Sequence, residues 1–532
     1  MRLPLPLCFL ILFVGDLCYQ LTLRNMELPP GLSVALANGL LYSGLLWIGF
    51  RLDLARASIC YLALPYFLFI PGWLNTPSAF LLSAIFVSSL YFTLSHIQGP
   101  RQDQITLQNL LAFILILLWV NLSGAGGYGY QTRDWEVHNA RLHDLALLSW
   151  PVRYGTDQNL VYYVGYFLPA ATIGKLTTLD MGVKSLFPWT ALGVMLAIRW
   201  LGVLSQWRFS PWLVLIFMLF GPLDIVNFIT LILFSPEPSL EAAGAALISL
   251  NTLDFILWDP FGFFVGNFLS NTFQLYWSPQ QVVAAWLCMG LLTYLFFTKQ
   301  DRSILFVFSL LCLWAPMPML AMALLVVLAM SYQIKNRWRA LCTFENIFGA
   351  VSLLGVFVVF YLGGSSNKNL SFWIFSRLST IHHFLALLFL YLSAWGIYAL
   401  SLFSAHRSDE RKYRLWFLCL LLSLVLLPFY LFGDYSDLLC RGSAPLMFLL
   451  LIFLLRALSV YWHNKRFLHC GLLACLLFAG TASALLNTRV AILNYGQTLP
   501  AGSVINHKYA FENLGPDNTA FARWFRKALP AD

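Results

Sequence analysis

A chain of 532 residues that is 60% hydrophobic and only 10% charged cannot wrap a soluble core in a polar shell. The formal net charge of +9 does not point to nucleic acid, because the basic residues stand in short loops beside apolar runs, where the positive-inside bias puts them. Most of the ten cysteines fall inside apolar runs without CxxC or paired spacing, so they read as small hydrophobes rather than as a disulfide or zinc framework.

The composition and the recurring apolar runs predict an all-α, polytopic transmembrane helical bundle. The opening MRLPLPLCFLILFVGD resembles a signal peptide but lacks a small-x-small cleavage site, and is expected to stay as a first helix. A crossing needs roughly 20 apolar residues. Spans of this kind fall at 3–20, 31–50, 58–73, 78–95, 106–122, 185–204, 211–233, 279–298, 303–333, 345–362, 380–403, 414–432, 444–462 and 467–486. The 303–333 run is too long for one crossing and contains Pro316 and Pro318, so two helices with a turn at 315–318 are expected, and about fifteen crossings in all.

Starting with Arg2 inside, the basic short loops (Arg51 and Arg56, Arg101, Arg208, Lys299 and Arg302, Lys335 to Arg339, Arg407 to Arg414, Lys465 and Arg466) fall on one side. That holds only if 160–177 does not cross. This segment, LVYYVGYFLPAATIGKLT, is expected to lie at the outer leaflet, with Tyr162, Tyr163 and Tyr166 at the headgroup level. The outer face then carries loops 123–184, 234–278, 363–379 and 433–443 and the tail from Asn487. Three parts are expected: a four-span extension at 1–105, a membrane domain at 106–486 and a short tail at 487–532.

One stretch departs from this apolar background. Between Gly124 and Asn159 the chain collects Arg133, Asp134, Glu136, His138, Arg141, His143, Asp144, Arg153 and Asp157. If 134–148 is helical, Asp134, His138 and Arg141 share one face, and Glu136, Asn139 and His143 another. The plain alternative is a solvated helix whose charges pair at i,i+3 and i,i+4. His138 and His143 are five apart, off one helical face, and HExxH is absent. A divalent ion is compatible with the carboxylates but nothing in the spacing calls for one, so neither metal nor cofactor is expected.

Further polar positions follow. In GDYSDLLCRGSAP, Arg441 stands just before an apolar run, where a guanidinium suits a lipid phosphate; it equally suits pairing with Asp437 or Asp434, or snorkelling to headgroups. Lys175 has a similar choice. Asn271, Gln280 and Gln281 can bind sugar hydroxyls or bridge helices, and Asp254 and Asp259 lie nearby in sequence. Asp224 stands inside an apolar run, where a carboxylate normally faces a wet cavity or a partner. Asp16, His382 and His383 are expected at interfaces.

The order of parts resembles the GT-C superfamily of integral membrane glycosyltransferases. A membrane helix at 106–122 leads into RDWEVHNARLHDL, then PVRY, then LVYYVGYFLPAATIGKL, then the 185–204 helix. The strings DWEVHNARLHDL, LVYYVGYFLP, SNTFQLYWSPQQ and DLLCRGSAP are similar to uncharacterised bacterial multi-pass proteins grouped with that superfamily. The resemblance implies an inverting transfer of sugar from a polyprenyl-phosphate donor to a glycan, lipid or protein acceptor at the outer face of an inner membrane. Such a transfer needs a carboxylate to take the acceptor proton and cations for the leaving phosphate. Asp134 is the expected base, with His138 beside it and Glu136 and Asp144 in reserve. Arg133, Asn139, Arg141, His143, Arg153, Tyr162, Tyr163, Lys175, Gln280 and Arg441 are the expected substrate-binding residues. The alternatives are a flippase or transporter for lipid-linked saccharides, and a polymerase of lipid-linked glycans. Transporters concentrate charge at the bilayer midplane, often in internal repeats, whereas these charges sit in loops and no repeat is visible.

Overall fold

The computed structural model describes residues 2–22, 24, 26–102, 104–155, 157–223, 267–364, 371–376, 378, 380–406, 411–432, 436–506 and 514–528. It is mostly helical, with a few strands of two or three residues. Among the described residues, eleven helices are long and apolar enough to cross a membrane, from Leu5–Thr22 to Phe467–Leu493. Two shorter apolar helices, Leu107–Leu122 and Pro316–Tyr332, stand beside them.

The described residues thus show eleven of the fifteen or so crossings expected, and one of the differences has a local cause. The 303–333 run does not form two crossings. It forms a six-residue helix, Ile304–Ser309, and then a single helix, Pro316–Arg337. Pro316 occupies the first helical position, where a missing N–H costs nothing, so the break falls just before the proline pair and leaves a first helix far too short to cross. The 211–233 run forms the helix Pro211–Leu219, and its part from 224 onward lies outside the described residues, as do Asp224, Asp254, Asp259 and Asp434. The segment 160–177 contributes a nine-residue helix, Leu168–Leu176. At 1.5 Å per residue this reaches about 13 Å, under half a bilayer core.

Burial separates centre from rim. The most apolar stretches of Pro279–Phe297 and Asp437–His463 are each 89% buried and that of Leu179–Ser205 is 78% buried, against 17% for Leu5–Thr22 and 22% for Phe467–Leu493. Rim helices turn Phe80, Leu81, Leu468 and Phe478 outward. Apolar surface on this scale needs a lipid solvent, so the fold is that of a multi-pass helical membrane protein.

Polar side chains stitch the helices where backbone carbonyls accept a donor. The Leu54–Trp73 helix, from the first hundred residues, is drawn into the centre in this way. Ser58 Oγ accepts from Trp200 Nε1 at 2.9 Å, Leu62 O accepts from Trp314 Nε1 at 3.0 Å, and Tyr66 OH donates to Ser309 O and Leu310 O at 3.1 Å.

The C-terminal tail is built into the polar loop. Leu514–Pro516 adds an antiparallel strand to Gln158–Leu160, which already pairs with Arg153–Tyr154. Further on, Lys527 N donates to Trp73 O and Asn75 N to Phe525 O.

Candidate functional site

The polar loop is aimed by a left-handed turn. Gly124 has φ +81°, and a Cβ there would come within 2.8 Å of Tyr130 O, so only glycine makes the turn without strain. The turn delivers the helix Trp135–Leu147 onto the end of the helix Asn271–Trp277, whose last carbonyls have no partner inside that helix. Side chains of the loop supply the donors. Trp135 Nε1 and Thr132 Oγ1 donate to Tyr276 O at 2.9 and 3.2 Å, and His138 Nε2 lies 2.9 Å from Trp277 O. The loop helix is thereby fixed at the break before Pro279.

The same contact sets the state of His138. A proton on Nε2 directed at a carbonyl leaves the Nδ1 lone pair to accept from Arg141 Nη1, 3.0 Å away. Burial, reinforced by the Arg141 charge, holds this imidazole well below the usual histidine range, so it is neutral near pH 7. Both ring nitrogens are thus engaged, Nε2 at the Trp277 carbonyl and Nδ1 at Arg141. The guanidinium of Arg141 in turn lies 3.5 Å over the centroid of the Tyr162 ring. His138, expected beside the base, lies here between the Trp277 carbonyl and Arg141.

Asp134 stands at the N-cap position of the loop helix, but its side chain caps nothing. Its carboxylate faces across the site instead, with Oδ2 4.0 Å from Arg441 Nη2. Arg441 comes from the start of Asp437–His463, and its Nε donates to Asp437 Oδ1 at 2.9 Å. The side chains of Asp134 and Arg441 are 38% and 24% exposed, enough to reach a ligand yet partly stripped of water. Burial pushes the Asp134 carboxyl above its ordinary range, Arg441 and Arg141 pull it back only in part, and Asp437 adds to the rise.

The wall beside this pair is tyrosine and amide. The Tyr162 and Tyr163 rings have centroids 3.7 Å apart, and Tyr163 OH accepts from Gln281 Nε2 at 2.7 Å. Burial raises both phenols above their usual range, so they stay neutral hydroxyls. Gln280 is buried next to Tyr162. The structure thus brings together Asp134, His138, Arg141, Tyr162, Tyr163, Gln280 and Arg441. Arg133, in the turn before the loop helix, and Glu136, in its first turn, are exposed.

Other expected site residues are placed elsewhere. Asp144 is 1% exposed and accepts from Tyr154 OH at 2.5 Å, Ser503 Oγ at 3.0 Å and Val504 N at 2.8 Å, with His143 Nδ1 3.0 Å away. Its oxygens hold the tail and the loop rather than facing the Asp134 side chain. Asn139 Nδ2 donates to Leu499 O at 2.9 Å and Gln131 Oε1 at 3.0 Å. Arg153 Nη2 lies 3.2 Å from Asp517 Oδ2. Lys175 donates to Leu148 O and lies over the Trp150 ring. Among the described residues, no three histidine, cysteine or acidic side chains gather closely enough to hold a metal ion.

Sequence reasoning missed the tail. Asp517 is bridged by Arg526 and Arg153 and also accepts from Asn159 Nδ2 at 3.1 Å. The hydrogen bond from Arg526 is the main cause that holds the Asp517 carboxyl below its usual range. A depressed carboxylate contributes stability above its unfolded value and loses it as pH falls through the folded value. Limited proteolysis of residues 514–528 should therefore begin in the wild type only when pH drops below the ordinary aspartate value of about 3.9. In Asp517→Asn the tail should be cut at every acid pH, and identical cleavage profiles for the two proteins would remove the clamp from this account.

Comparison with family models, with curated proteins and with solved structures finds no match to this chain.

Proposed function

We propose that this protein is a membrane glycosyltransferase that takes a sugar from a polyprenyl-phosphate donor and delivers it to a glycan, lipid or protein acceptor at the outer face of the membrane. One observation carries the reading. A half-exposed carboxylate whose pKa is raised, Asp134, faces a half-exposed guanidinium, Arg441, at 4.0 Å, beside buried amides at one end of the helix bundle. A base poised above the ordinary carboxylate range, next to a cation that suits phosphate, is the minimum equipment for moving a sugar off a lipid phosphate.

In this reaction the acceptor hydroxyl gives its proton to Asp134 as its oxygen attacks the anomeric carbon. The bond from that carbon to the phosphate oxygen breaks, and its electron pair leaves with the phosphate. Attack from the face opposite the phosphate inverts the anomeric centre. At 4.0 Å, Asp134 and Arg441 are too close to flank one anomeric carbon in line. The donor phosphate therefore takes the place of Asp134 at the Arg441 guanidinium and frees the carboxylate for the acceptor. Arg141, held by His138 and Tyr162, supplies the second positive charge. Arg153, expected as a helper, is committed to Asp517. The polyprenyl chain runs beside the Leu168–Leu176 helix, which leaves Ile173 and Leu176 exposed. Charges gathered in loops and at one helix end, rather than at mid-span, favour an enzyme over a flippase.

The pH dependence tests the pairing. Asp437 raises the Asp134 pKa directly and draws Arg441 away from it. Removing that charge in Asp437→Asn should favour ionised Asp134 on both counts. The acid limb of kcat for sugar transfer should then move to lower pH than in the wild type. An acid limb that stays in place, or moves upward, would separate Asp134 from the titration that governs turnover.

A further inference from the structure

The helix break at Ser278–Pro279 carries more carboxamide than packing requires. Gln274, Gln280 and Gln281 are each at most 1% exposed. Gln274 Nε2 donates to Cys440 O, beside Arg441, and Gln281 Nε2 donates to Tyr163 OH. Their other amide atoms have no such use. Among the described residues, Gln274 Oε1 and Gln281 Oε1 make no hydrogen bond to protein, and the Gln280 amide, directed at the Tyr162 hydroxyl, makes none of full hydrogen-bond geometry. The neighbours of all three belong to the site: Gln280 meets Tyr162, Gln281 meets Tyr163, and Gln274 meets the residue before Arg441.

Buried polar atoms without partners are destabilising, and a protein that needed only helix packing would be better served by leucine at these positions. A carboxamide both donates and accepts without a formal charge. That makes it a match for the hydroxyl group, which does the same. Charge in the site is concentrated in Asp134, Arg141, Asp437 and Arg441, whereas this wall is neutral.

We infer that Gln274, Gln280 and Gln281 form the saccharide-reading wall of the site, with Gln280 at its centre, and that the moiety it takes is an uncharged, hydroxyl-rich sugar. The inference rests on the glycosyl-transfer reading above and specifies its substrate. Each hydroxyl that reaches the wall satisfies an amide atom that the free protein leaves unpaired. A site of this kind discriminates strongly against a ligand that lacks the hydroxyls.

The test compares equilibrium binding of bare undecaprenyl phosphate with undecaprenyl phosphate carrying glucose, mannose, galactose or arabinose, using full-length protein in lipid nanodiscs. In the wild type, at least one of these sugars should tighten binding about tenfold or more over the bare lipid phosphate. Gln280→Leu should erase that gain, leave bare undecaprenyl phosphate binding unchanged and raise the melting temperature. A structural role for Gln280 would instead lower the melting temperature. If the bare lipid phosphate binds but no sugar adds affinity, or if Gln280→Leu keeps the gain, the saccharide wall is overturned while the lipid-phosphate reading stands. If no lipid phosphate binds in any form, the functional reading itself fails and this assignment falls with it.

Discussion

Asp134→Asn should lower the turnover of sugar transfer by about 10²–10⁴-fold, the range a positioned general base contributes, while donor affinity stays close to that of the wild type. The change keeps the shape of the side chain and removes only its ability to take a proton. Folding should not suffer, because Asp134 caps no helix end and its burial already disfavours the charged form. A neutral amide there relieves that cost. The outcome to measure is kcat against KM with a labelled polyprenyl-phosphate sugar. An unchanged kcat would remove Asp134 from the base role; a large rise in KM at constant kcat would make it a binding residue.

Arg441→Gln carries the second large effect. A guanidinium that holds phosphate through charge-assisted hydrogen bonds contributes about 1.5–3 kcal/mol, which corresponds to a loss of about 10- to 150-fold. The contact strengthens as charge moves onto the departing phosphate, so kcat should fall more than donor affinity. Arg441→Lys keeps the charge but not the planar fork, and its activity should lie between the two. The substitution to glutamine also leaves Asp134 and Asp437 facing each other without the cation between them. The double variant Arg441→Gln with Asp437→Asn removes that repulsion. If it transfers sugar as the wild type does, Arg441 serves only to offset Asp437 and the phosphate is held elsewhere.

Much of the site was legible where its logic is local. The helical period already placed His138 and Arg141 on one face, and they bond across that turn. Asp437 stands one helical turn before Arg441, and that pairing too is written in the spacing. What the period could not show is the meeting of Asp134 with Arg441, because it depends on how the loop helix docks on the end of Asn271–Trp277. The same limit hid the role of Asp144. As a polar residue in a charged cluster it resembles a reserve base, yet its partners Ser503 and Val504 lie some 360 positions away in the tail. Tail segments with few apolar residues give no periodic signal of where they dock. Within the 303–333 run, hydropathy alone could not show that the break before the proline pair would leave a six-residue first helix, since every part of the run reads as apolar.

The most direct test is transfer by the purified protein in detergent, where there is no membrane to cross. The protein is mixed with polyprenyl phosphate carrying a labelled sugar and with lipids and glycans extracted from membranes as acceptors. The label should leave the polyprenyl phosphate and appear on an acceptor with inverted anomeric configuration, in the wild type and not in Asp134→Asn. Label that stays on the polyprenyl phosphate in detergent, but changes leaflet in sealed vesicles containing the protein, would contradict the account and make the protein a transporter.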